Sequence, residues 1–142
     1  MQNDYDNAEI WYRKAIEANP NEWVYNNLFQ LNLISNKPFD PILEQEYLSQ
    51  YKDIKSNNFA IYKMLKILQK IKEGKEQNFQ DTIKNWSKEY TLRHFSFVAL
   101  KQWANNEKND SIRKKLKEAV ELFKNYRIKS QYDKNNSTKE WE

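Results

Sequence analysis

Apolar residues recur along this chain at steps of three and four, the spacing that sets side chains on one face of an α-helix. Read this way, the sequence predicts seven helices. Tyr5, Ala8, Tyr12 and Ala15 share a stripe on a first helix over about 5–18, which Pro20 stops. A second helix, about 22–35, opens after Asn21, whose side chain suits the unpaired N–H groups of a first turn. A third, about 41–54, has Asp40 as N-cap and Pro41 at the first helical position, where an N–H would lack a partner anyway. The fourth, about 57–73, carries Phe59, Tyr62, Leu65 and Leu68 beside Ile61, Met64, Ile67 and Ile71, a broad apolar arc suited to a central helix, and Gly74 ends it. Phe79, Ile83, Trp86 and Tyr90 mark a fifth helix at about 77–89, and Leu92, Phe95, Ala99 and Trp103 a sixth at about 92–105. The seventh, about 111–127, is capped by Asn109 or Asp110 and aligns Ile112, Leu116, Ala119, Phe123 and Tyr126. Residues 1–130 then form one helical domain, and the polar residues 131–142 a disordered tail.

Paired, these helices have a period. The first members of successive pairs open near Trp23, Asn57 and Leu92, at intervals of 34 and 35 residues. The order aromatic, small, aromatic, small, proline at Tyr5, Ala8, Tyr12, Ala15 and Pro20 resembles the second helix of a tetratricopeptide repeat, whose helix pairs recur every ~34 residues. Phe39-Ile42-Glu46 repeats part of that spacing, and Phe79-Thr82-Trp86 repeats it without the alanines. The likeness is specific over residues 4–22, rests on period over 23–89, and is architectural beyond.

The resemblance implies an all-α array of antiparallel helix hairpins, an α-solenoid fragment, acting as a non-catalytic scaffold for a protein or peptide partner. The inner wall of first helices is where such arrays hold a partner. Here that implies Val24, Asn27 and Leu31, followed by Ile34, with Asn27 suited to hydrogen-bond a peptide backbone. Val24, Leu31 and Ile34 also share a stripe, for which core packing is the favoured explanation. A partner for the first helix belongs upstream of Met1, so the likeness implies a severed array. Its uncovered first helix, with Trp11 and Tyr12, favours self-association.

Composition narrows the chemistry. One Gly and three Pro among 142 residues are too few turn formers for a β-sandwich or barrel. The absence of Cys removes disulfides, thiolate zinc sites and a cysteine nucleophile. Aromatic residues make up 15% of the chain, and their large buried areas offset a modest aliphatic content. No run approaches the ~18 apolar residues of a membrane span, so a membrane link is expected only through a parent segment. His94 is the only histidine and has no second ligand spaced for a metal, so it reads as a surface or boundary residue. Glycine-rich phosphate loops and the G-x-S-x-G and H-E-x-x-H patterns do not occur, and neither cofactor nor catalysis is expected.

Charge is concentrated at one end. From Arg113 to Lys129 seven basic residues stand against two acidic, for +5, while the other 125 residues hold 17 basic and 18 acidic, for −1. Arg113, Lys114, Lys117, Lys124 and Arg127 mark this basic surface. Either it solvates a capping helix or, as an alternative class, it grips nucleic-acid phosphates or an anionic lipid surface, nucleic acid being the less favoured partner. The Asn- and Lys-rich usage suits an AT-rich bacterial source. In that style the chain is also similar to the periplasmic helical-repeat tails of O-antigen ligase-like membrane glycosyltransferases.

Overall fold

A computed structural model describes residues 2–127, with side chains from residue 4 onward; the tail expected over 131–142 lies outside the described residues. Seven helices are present among them: α1 (Gln2–Ala18), α2 (Glu22–Ile34), α3 (Pro41–Tyr51), α4 (Asn57–Lys72), α5 (Phe79–Glu89), α6 (Val98–Asn105) and α7 (Asp110–Tyr126). No strand occurs among the described residues, and the fold is all-α.

Local chemistry sets most of the boundaries. Asn21 accepts the Val24 N–H at 3.0 Å, and Asn109 accepts that of Ile112 at 3.0 Å. Asp40 accepts from Ile42 and Leu43 at 3.0 and 3.2 Å, with Pro41 filling the first helical position. Two helices close with the same wrap-around geometry. At the end of α4 the Lys75 N–H reaches the Lys70 carbonyl and the Gly74 N–H that of Ile71; at the end of α2, Lys37 reaches Asn32 and Asn36 reaches Leu33. Both pairs of bonds need a left-handed residue between them. Gly74 (φ 73°) and Asn36 (φ 59°) supply it.

The chain forms two compact units, Met1–Leu65 and Lys66–Glu142. In the first, α1 and α3 both pack on α2. The core is aromatic: Phe29 stacks on Phe39 with centroids 5.2 Å apart, and Tyr47 meets Tyr62 at 5.1 Å and Tyr25 at 5.5 Å. A polar network threads this core. Ser56 caps α4 by accepting the Phe59 N–H at 3.0 Å, and its hydroxyl donates to the Glu22 carboxylate at 2.9 Å. The Tyr47 hydroxyl also donates to Glu22, at 3.1 Å, and accepts from the buried Asn26 amide at 3.3 Å. Asn26 donates further to the Asn58 carbonyl at 2.8 Å. One carboxylate thus ties the start of α2 to α3 and to the cap of α4.

In the second unit α7 lies against both α5 and α6. Leu116, Ala119, Val120 and Phe123 form its buried stripe, and Phe123 meets Trp86 edge-on with centroids 4.7 Å apart. Phe79 and Ile83 are buried on the same α5 stripe, as the spacing predicts. Lys72, at the end of α4, pairs with the mostly buried Glu107 ahead of α7.

The sixth helix is shorter than its periodicity suggests. Residues 92–97 do not join α6, which begins at Val98. Leu92 and Phe97 are fully buried, but on a non-helical segment in which exposed His94 takes a left-handed conformation (φ 51°). Aromatics at Phe95 and Phe97, two positions apart, meet edge-on at 4.8 Å. Arg127 fixes the segment from outside, donating to the Phe95 carbonyl at 2.7 Å and lying over the Phe97 ring. The left-handed backbone at His94 interrupts any helix there, so the helical spacing of Leu92, Phe95 and Ala99 does not carry a continuous helix. The regular period ends there. Helix starts fall at Glu22 and Asn57, close to the predicted interval, but the third start expected at Leu92 is displaced to Val98.

Candidate functional site

Of the residues that the tetratricopeptide likeness assigns to a partner wall, Val24 and Leu31 are buried at 4% and 8% exposure. They are core residues of the first unit, not an exposed wall, because α2 is covered by α1 and α3 together. Asn27 and Ile34 are half-buried.

The opening motif is split. Ala8, Tyr12 and Ala15 are half-buried on α1, Ile16 is its buried residue, and Pro20 follows the end of the helix. Tyr5 is 38% exposed, and Ile10 and Trp11 stand out at 52% and 58%. The Trp11 ring meets Tyr12 edge-on at 5.3 Å. In the second unit Phe79 and Trp86, the later echo of the motif, are both buried.

The basic surface of α7 also divides. Arg113 donates to the Glu107 carbonyl at 3.0 Å and to Asp110 at 2.7 Å, and Arg127 is taken up by Phe95 and Phe97. These two cations brace loops. Lys114 and Lys117 are exposed, while Lys124 is half-buried. Lys117 borders a shallow dimple of about 60 Å³ between α6 and α7. His94 lines neither this dimple nor the groove below.

The larger concavity is in the first unit, a groove of about 570 Å³ between α1 and α3. Two facing helical stripes build it. Arg13, Ile16 and Glu17, with Pro20 beyond the helix end, come from one side; Leu43, Glu46 and Gln50 come from the other, and Tyr25 of α2 contributes to the floor. Steps of three and four on each wall put these side chains on one face. The walls run the same way. Lys37, just past α2, pairs with Asp6 in the first half of α1 at 3.6 Å, and Tyr25, at the start of α2, reaches Glu46 at 3.4 Å and the Tyr51 ring at the end of α3. So α2 is antiparallel to both of its neighbours, and α1 is parallel to α3. From Leu43 to Gln50 the groove runs roughly 10 Å at the helical rise, room for about three extended residues or two helical turns.

One end is latched. Arg13 donates to Asp40 at 2.9 Å and to Glu9 at 3.0 Å. Burial alone raises the Asp40 carboxyl, but the hydrogen bonds from Arg13, Leu43 and Ile42 outweigh it and hold the group below its ordinary value. For Tyr25, burial and the neighbouring Glu46 carboxylate push the hydroxyl up, so it stays protonated and donates.

Of the groove residues only Pro20 and Glu46 stand out in the sequence, Pro20 as the end of the opening motif and Glu46 as one spaced position of an imperfect repeat. The signal that unites them is a matching stripe on two helices separated by a third. Among the described residues no group of three or more His, Asp or Glu side chains converges as metal ligands would. Comparisons with protein-family models, with curated proteins and with solved structures give no significant match for this chain.

Proposed function

We propose that the chain is a non-catalytic interaction scaffold of stacked helix hairpins, tetratricopeptide-like in kind, that holds a protein or peptide segment in the groove between α1 and α3. The groove carries this reading: Ile16, Leu43 and Tyr25 form an apolar floor, open along one side, between two walls fixed by the Arg13–Asp40 latch. A floor of this kind gains from covering apolar area, and preordered walls spare the scaffold most of the ordering cost of association. The carboxylates of Glu22 and Asp40 are engaged in holding helices together, which supports structural rather than catalytic roles for them. Selection of binding peptides from a random displayed library against the full chain tests the proposal. Binding should be lost in Leu43→Asp, whose half-buried position allows the variant to fold, as circular dichroism would check. Selected peptides that bind the folded variant as tightly as the parent would refute it.

A second reading, self-association through α1, is favoured by the exposure of the consecutive residues Ile10 and Trp11. Sedimentation velocity over a wide concentration range tests it. The expected result is an assembly that Trp11→Lys disperses; a monomer at every concentration excludes it.

A further inference from the structure

The groove is chemically one-sided. Its single lining cation, Arg13, is consumed by Glu9 and Asp40. Glu17 and Glu46, one on each wall, are exposed, and among the described residues neither carboxylate has a cationic partner; that of Glu46 accepts from the Tyr25 hydroxyl. Helix polarity acts in the same direction. Because α1 and α3 are parallel, both C-termini lie at the Pro20 and Gln50 end, where unpaired carbonyls make a helix end partially negative. Neither helix carries a basic residue in its last turn to answer this. Lys52, the C-cap of α3, is exposed and does not line the groove. The first unit as a whole has six basic and nine acidic residues, a net −3.

We propose that the groove admits a short partner segment with a lysine or arginine seated between Glu17 and Glu46 and a neighbouring apolar side chain on Ile16 and Leu43. This rests on the scaffold reading and names the partner's chemistry. The cation answers two carboxylates and two helix ends at once, and the Gln50 amide, at the same end, is placed to hydrogen-bond the segment's backbone. An acidic segment meets repulsion from all of these and is rejected.

The test uses the isotope-labelled full chain and three capped pentapeptides that alternate leucine with lysine, with glutamine or with glutamate, followed by amide chemical shifts. The lysine peptide should shift the amides of Glu17, Leu43 and Glu46 and bind about tenfold more tightly than the glutamine peptide, the size expected of two exposed ion pairs. The preference should vanish in E17Q/E46Q, whose exposed substitutions leave the core untouched. Equal binding of the lysine and glutamine peptides in the groove would overturn the cation inference and leave the scaffold reading standing. No groove shifts with any of the three would overturn both. Self-association that E17Q/E46Q abolishes would make a second copy the occupant and overturn the assignment to a separate partner.

Discussion

Arg13 grips Asp40 at 2.9 Å while Asp40 caps the first turn of α3, so one carboxylate both starts a helix and anchors it to α1. Asp40→Ala removes both functions and should cost about 1–2 kcal/mol, most of it from the lost cap and little from the partly exposed ion pair. Chemical denaturation of the two proteins measures this. Because the folded Asp40 carboxyl lies below its unfolded value of about 3.9, its contribution is complete above that pH and is lost as pH falls towards the folded value. The parent should therefore converge on Asp40→Ala in acid. A gap that stays constant down to the lowest accessible pH would contradict the assignment.

Tyr47 links Asn26 to Glu22 inside the first unit. Tyr47→Phe keeps the ring contacts but removes the hydroxyl, and should cost about 1–2 kcal/mol. Burial pushes the hydroxyl far above the ordinary phenol range; the Asn26 bond opposes this, and the nearby Glu22 carboxylate adds to it. A folded value raised this way contributes stability that is intact below the unfolded value of about 10 and fades as pH rises past it. Alkaline titration of stability should thus be less steep in Tyr47→Phe than in the parent, and identical slopes would contradict this.

Lys72 holds the Glu107 carboxyl below its ordinary value, against the opposing effect of burial. Glu107→Gln leaves the lysine without its counter-ion beside a mostly buried position and should destabilise the protein by about 1–3 kcal/mol at neutral pH. The loss shrinks as pH falls below the unfolded carboxyl value of about 4, where the parent too becomes protonated. Denaturant melts at pH 7 and pH 3 would show whether the difference closes.

Gly74 stands in open space, so adding a Cβ there meets no neighbour and any cost comes from the backbone alone. With φ at 73°, Gly74→Ala should lose about 1 kcal/mol. Gly74→Asn should lose less, as Asn36 occupies the equivalent place after α2 with φ 59°. Equal losses in thermal melts would count against a purely conformational origin.

The caps were legible in the sequence because their chemistry is local: Asn21, Asp40 with Pro41, Asn109 and Gly74 each act on residues within one or two turns. The stripes of α5 and α7 were legible for the same reason. What escaped were relationships across helices. Leu92, Phe95 and Ala99 carry helical spacing, yet α6 begins only at Val98, and the stretch before it is tied at Phe95 to Arg127 from the end of α7. Val24 and Leu31 look like a wall until α1 and α3 are seen to close over α2. Glu17 and Glu46 are unremarkable solvated carboxylates in sequence, and only the parallel setting of their helices makes them two sides of one cleft.

The latch at Arg13 also gives the short connection between Ile34 and Pro41 a role beyond joining helices. A residue inserted after Asn36 is either absorbed as slack with the Arg13–Asp40 latch intact or breaks that latch and slides α3 lengthwise, putting Glu46 out of register with Glu17. Changing the length of that connector would then retune the proposed choice of guest without altering a single atom of the groove lining.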